Sequence, residues 1–145
     1  MILSSAEIRS RLGADTTEKR LVIAPFGDAS LQPASYDLRA GADISLPPGK
    51  CTLVPSMEHV EIPADVAATL RCRSSYARRG LLLGGGFVDP GFRGQLTLCL
   101  TNMGEAPVRL ATGDRVVQMI LHEVSDGSGT YNGRYQDSTG VVRAR

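Results

Sequence analysis

The chain has 145 residues, the size of one domain. Apolar residues make up 42% and charged residues 21%, the balance of a soluble globular protein, and the formal net charge is +1. That charge excludes a strongly basic nucleic-acid binder and an acidic tail, but not a local basic site.

The longest uncharged apolar stretch, Gly80–Val88, has nine residues and is too short to span a bilayer. The opening MILSSAEIRS has no basic and no apolar leader region, so no signal peptide is expected. Cys51, Cys72 and Cys99 form no CxxC pair and no His–Cys cluster. Structural zinc and a disulfide framework are therefore not expected, and a reducing cytoplasm fits best. Fourteen arginines stand against two lysines. Arginine suits bidentate phosphate binding, although genomic base composition accounts for most of this excess.

The chain opens on one short helix. Ser4 and Glu7 have capping-box spacing, Leu3 and Ile8 form the staple beneath it, and Gly13 closes it in a left-handed conformation. The pattern then turns to strands. Short apolar runs are broken at Pro25, Pro33, Pro47-Pro48-Gly49, Pro55, Pro63, Pro90-Gly91, Pro107 and Gly113-Asp114. Residues Gly94–Thr101 alternate, with Leu96, Leu98 and Leu100 on one face and Gln95, Thr97, Cys99 and Thr101 on the other. Val66–Cys72 and Arg115–Val124 also read as strands. Turn signals about every ten residues predict an all-β sandwich or barrel, with one more helical turn after Ser74-Ser75 that ends at Gly80. No repeat and no internal linker divides residues 1–145, so a single domain is expected. Ser125–Gly140 is polar and rich in glycine and serine. It reads as a disordered end or as an arm that orders on a ligand.

Four segments are polar beyond what strand packing explains: Gln32–Gly41, Arg71–Gly80, Gly84–Asn102 and Gly113–Gln118. In the second, Arg73, Ser74, Ser75 and Arg78 lie at a helix start, where unpaired N–H groups and guanidinium charge suit a phosphate. An N-cap with solvated arginines explains the same residues. In the third, Asp89-Pro90-Gly91 suits a type II turn. Asp89 either closes that turn or does chemistry, and the glycines before it form a flexible loop or leave room for a planar ligand. Gln118, in the apolar run VVQMIL, points outward or is satisfied inside a site. His59 and His122 have no ligand-spaced neighbours and read as surface or half-buried residues. GxxxxGK[ST], GxSxG, HExxH and the zinc-deaminase signature are absent.

Taken together and in order, MILSSAEIRSRL, QPASYDLRAG, RSSYARRG, VDPGFRG, GDRVVQMI and YNGRYQDSTG resemble the dUTPase and dCTP deaminase superfamily over nearly the whole chain. The resemblance is closest to dCTP-deaminase-like dUTP diphosphatases of archaeal type. It implies a distorted jelly-roll β-barrel with one or two short helices, a cytoplasmic homotrimer with sites between subunits, and residues 125–145 as an arm closing over the nucleotide. Arg73, Ser74, Ser75 and Arg78 would hold the triphosphate. Gly85, Gly86, Phe87 and Val88 would line the base pocket, with Phe92 under the deoxyribose, where its apolar ring disfavours a 2′-hydroxyl. Gln118 would contact phosphate or order the site. Tyr131, Arg134, Tyr135, Gln136 and Ser138 would come from the arm. Asp37 would support Mg²⁺-bound water or a neighbouring arginine.

The resemblance also separates the two activities. Deaminases of this type carry a glutamate ten residues after the aspartate of the DPGF segment, where it shuttles protons. Here that position is Cys99. A thiol is a poor substitute for a carboxyl group that must both accept and donate a proton. Asp89 matches the aspartate that dUTPases use to activate water. Hydrolysis of dUTP to dUMP and pyrophosphate, with Mg²⁺ held by phosphate and water, is therefore the leading expectation. Deamination of dCTP is the second. A non-catalytic trimer that senses deoxynucleotides is the third. No nucleic-acid or membrane partner is expected.

Overall fold

Alternating apolar residues sort the strands onto two larger sheets that share one core. The computed structural model describes residues 1–145. The elements are α1 (Ser5–Leu12), β1 (Val22–Ala24), β2 (Leu31–Gln32), β3 (Ser35–Arg39), β4 (Ile44–Leu46), β5 (Cys51–Glu61), β6 (Val66–Cys72), α2 (Ser74–Ala77), β7 (Leu81–Gly84), β8 (Phe87–Val88), β9 (Arg93–Asn102), β10 (Val108–Leu110) and β11 (Arg115–Glu123). One sheet has the order β1-β5-β9-β7, the other β2-β3-β11-β6-β8, and β10 pairs with β4 in a ribbon. Every strand pair is antiparallel. The architecture is mostly β with two short helices, and no helix is long and apolar enough to cross a membrane.

The core draws on both sheets and on α1, including Ile8, Leu38, Val54, Leu98, Leu100, Val117 and Leu121. Burying each such side chain contributes about 2 kcal/mol relative to exposure. In β9 the leucines face this core, and Gln95, Thr97 and Cys99 lie on the other face, half-buried. The alternation read from the sequence therefore holds.

Two local expectations fail. Gly13 follows α1 at φ −99°, not in the left-handed region, and its N–H reaches back to the Ser10 carbonyl at 3.3 Å. The cap at the other end is as expected, with Ser4 Oγ accepting from Glu7 N. Pro55 does not end a strand. It lies inside β5 opposite Thr97, and the register shifts between Pro55 and His59. A bulge tolerates the missing proline N–H, and the alternation of buried residues runs on through Ser56, Glu58 and Val60. The arm of residues 125–145 packs on the rest of the chain. Its backbone runs beside β9, with Asp137 N donating to Arg93 O and Gln95 N to Ser138 O, both at 2.8 Å.

Candidate active site

The turn between β8 and β9 sets the site. Phe92 N donates to Asp89 O at 3.2 Å, and Gly91 adopts φ +81°, as a type II turn requires at its third position. The turn leaves Asp89 exposed at the lip of a cavity of about 550 Å³ and buries Phe92 in its wall. The half-buried face of β9 continues that wall through Gln95, Thr97 and Cys99, and Phe87 and Val88 line it from β8. The arm supplies the facing wall through Tyr131, Tyr135 and Ser138. The Tyr131 ring stands edge-on to Phe92, with centroids 5.8 Å apart.

The arm is seated by backbone contacts that the glycines allow. Tyr131 N donates to Pro90 O at 2.7 Å. The Gln136 amide accepts from Arg93 N at 2.7 Å and donates to Gly91 O at 2.8 Å. A Cβ on Gly91 would lie 2.8 Å from Thr130, and one on Gly94 would lie 2.8 Å from the Ser138 backbone. Arg134 is exposed and bonds the Arg145 carbonyl rather than entering the cavity. Gly85 and Gly86 are not in its lining. Gly85 stands in open space, and Gly86 O accepts from Leu70 N.

A second cluster forms where β3, β11 and β6 meet. Asp37 is buried and its carboxylate lies 2.9 Å from Arg73 Nε and 3.8 Å from Arg115 Nη1. Arg73 also donates to the Arg115 carbonyl at 3.0 Å. Burial pushes the Asp37 carboxyl above its ordinary range, opposed by Arg73 and then Arg115. Its charged neighbours in the structure are these two arginines. Gln118 Nε2 donates to Ser35 Oγ at 2.9 Å, which makes it an ordering residue for β3. Ser74, Ser75 and Arg78 are exposed beside this cluster. The helix there has only four residues, so the segment presents guanidinium charge and hydroxyls rather than a helix dipole. None of Arg73, Ser74, Ser75 and Arg78 lines the Asp89 cavity, so within one chain the two clusters are separate.

Cys99 lines the cavity with Asp89, and Asp89 is the one carboxylate there. Burial, then the nearby Cys51, raises the Cys99 thiol. No group of three His, Cys, Asp or Glu side chains gathers anywhere as a metal cage. A divalent cation at this site would be held by phosphate oxygens and water rather than by a protein cage.

The sequence profile of the dCTP deaminase-like family matches residues 41–124. A dCTP deaminase of Pyrococcus horikoshii is 39% identical over 86% of this chain and 90% of its own length. The chain belongs to the dCTP deaminase-like family. A further relative, from Pseudarthrobacter chlorophenolicus, is named a dUMP-forming dCTP deaminase and is 32% identical, with 100% of this chain and 95% of its own covered. Among solved structures, a 2′-deoxycytidine 5′-triphosphate deaminase from Agrobacterium tumefaciens superposes with TM-score 0.71 at 22% identity. That match covers 86% of this chain, which spans 48% of the Agrobacterium chain. The native EIAV dUTPase superposes with TM-score 0.61 at 25% identity, covering 79% of this chain and 92% of that one. The chain thus shares its fold with both branches of the dCTP deaminase/dUTPase superfamily.

The sequence reading did not single out Arg115, Leu53, or the wall roles of Gln95, Thr97, Val142 and Ala144. Gln95 and Thr97 were within reach, since alternation had already set them beside Cys99. Val142 and Ala144 lie beyond the arm motif, where no pattern marks them.

Proposed function

We propose that the protein is a dUTP diphosphatase, converting dUTP and water to dUMP and pyrophosphate. The carrying observation is the content of the cavity: Asp89 is its one carboxylate, and Cys99 stands where deamination needs a second acid–base group. Hydrolysis needs one base. Asp89 accepts a proton from water as it attacks the α-phosphorus, and pyrophosphate leaves. Phe92 and Tyr131 form an apolar seat for the sugar. The assembly is a homotrimer of distorted jelly-roll barrels, in which Arg73, Ser74, Ser75 and Arg78 of a neighbouring subunit hold the triphosphate. This would unite the two clusters that one chain keeps apart. Asp37 and Gln118 act through Arg73 and β3. Mg²⁺, held by phosphate oxygens and water, would neutralise charge on the triphosphate and leave Asp89 free as the base.

The relatives' names favour a second reading, deamination of dCTP to dUTP and ammonia. The name of the Pseudarthrobacter protein, dUMP-forming, implies that both amino group and pyrophosphate leave within one family member. Deamination here would need Asp89 alone to carry protons that a thiol shuttles poorly.

Product analysis with dUTP and with dCTP, each with and without Mg²⁺, separates the readings. Mg²⁺-dependent pyrophosphate and dUMP from dUTP, with no ammonia from dCTP, is the expected result. Ammonia from dCTP would replace the diphosphatase with the deaminase. Asp89→Asn should keep nucleotide binding and lose about 10² to 10⁴ in turnover. Undiminished turnover in that variant would remove Asp89 as the base.

A further inference from the structure

The last six residues do something the arm motif does not require. Gly140 N donates to Gln95 Oε1 at 2.6 Å, and Val142 N donates to Thr97 Oγ1 at 2.9 Å. Val142 and Ala144 join the cavity lining, and Arg145 N approaches Tyr135 Oη at 3.4 Å. Gln95 cannot turn its amide away, because its Nε2 donates to Ser56 O at 3.0 Å and so aims Oε1 at the tail. The tail amides therefore engage side-chain acceptors on two successive outward positions of β9.

This has a cost for any ligand. With the tail in place, a nucleobase entering the cavity would give up hydrogen bonds to water while the acceptors on the β9 wall are already engaged. We propose that Gly140–Arg145 is an internal competitor of the nucleotide, which must leave β9 before a base can use Gln95 and Thr97 as acceptors. Uracil and cytosine both present N–H donors suited to those atoms. The inference rests on the proposed nucleotide-hydrolysing site and assigns it a gate in the same chain. Two hydrogen bonds to β9, with the contacts of Arg145 to Arg134 and Tyr135, set against the ordering of six residues, leave a balance that a ligand can tip. Apparent affinity is then reduced by the fraction of molecules whose tail is closed.

Tail release and lid closure make opposite demands on Arg143, which is exposed and followed by Ala144. Trypsin cleavage after Arg143, followed by intact mass, is measured on the full chain with Mg²⁺ and dUTP or dCTP analogues carrying an imido bridge between the α- and β-phosphorus. Saturating analogue should speed this cleavage several-fold. Slower cleavage would mean a lid and overturn the proposal. Val142→Pro deletes one of the two amide donors. It should tighten analogue binding by roughly three- to tenfold in calorimetry, the effect of one ordinary hydrogen bond. Unchanged or weaker binding by Val142→Pro would also overturn it. Absence of heat with both analogues, in parent and variant alike, would instead remove the nucleotide reading and this inference with it.

Discussion

Asp37→Asn separates what Asp37 does for the fold from what it does for Arg73. Its side chain is 3% exposed, whereas Arg73 is 30% and Arg115 37% exposed. At an effective dielectric near 20, the gross attraction across the 2.9 Å pair is about 6 kcal/mol. Taking a carboxylate out of water costs roughly the same order, several kcal/mol after relaxation. Burial has the larger effect, because it holds the Asp37 carboxyl above its ordinary range despite both arginines. A neutral isostere escapes that penalty, and the two guanidinium groups it releases can reach water. The expected change at neutral pH is within about 1 kcal/mol of zero, against the ~3–5 kcal/mol loss of a pair whose surviving charge stays buried. The sign of the pH dependence follows. The folded pKa lies above the unfolded one, so between them the folded chain binds more protons and stability falls as pH rises. The parent's advantage over Asp37→Asn should be largest near the acid end and narrow toward neutrality. Urea denaturation of both proteins from about pH 4 to about pH 7 measures this directly. A loss above about 3 kcal/mol at neutral pH, or an advantage that widens as pH rises, would refute the reasoning.

Glu58→Gln should behave differently. Glu58 is fully buried, accepts from Arg39 Nε at 2.6 Å and Arg39 N at 3.0 Å, and its Arg39 partner is only 19% exposed. A loss of about 3 kcal/mol is expected in urea denaturation, and a change under about 1 kcal/mol would contradict it. Gly94→Ala puts a Cβ against Ser138 at a residue whose φ is +143°, so the arm should lift while the core persists. Trypsin cleavage after Arg134 should then accelerate with far-UV circular dichroism unchanged. Cys99→Glu returns a carboxyl group beside Asp89 and should bring ammonia release from dCTP. If dCTP stays intact while the variant still binds it, Cys99 is not what separates the two activities.

How far the sequence can be read depends on which interactions leave a local mark. The β9 alternation, the type II turn at Asp89–Phe92 and the Ser4 cap are local, and each is in the structure where the sequence put it. Pro55 misled because a bulge is decided by the partner strand, here β9 opposite Thr97, and not by the proline alone. Asp37 read as a polar site residue because β3 buries Ser35, Tyr36, Asp37 and Leu38 in succession, which erases the period-two signature. Its arginine partners come from residues 73 and 115, a separation no window of sequence spans. The tail was invisible for a related reason. Its contacts use its own backbone N–H groups, which every residue type carries.

The same asymmetry governs function. Identity of 39% over 90% of a relative's length places both chains in one family, because a fold is specified by many dispersed apolar positions. The reaction depends on two or three groups in one cavity, so the family can keep its scaffold while the chemistry changes at a single position. Position 99 is such a place: it faces the cavity rather than the core, so exchanging a carboxyl for a thiol there disturbs no packing that the fold needs. On the proposed reading, a thiol at position 99 lacks the proton-carrying role of a carboxyl group while Asp89 serves as the base. The relatives' names weigh toward deamination and the cavity's content toward hydrolysis, so the products formed from dUTP and dCTP decide between them.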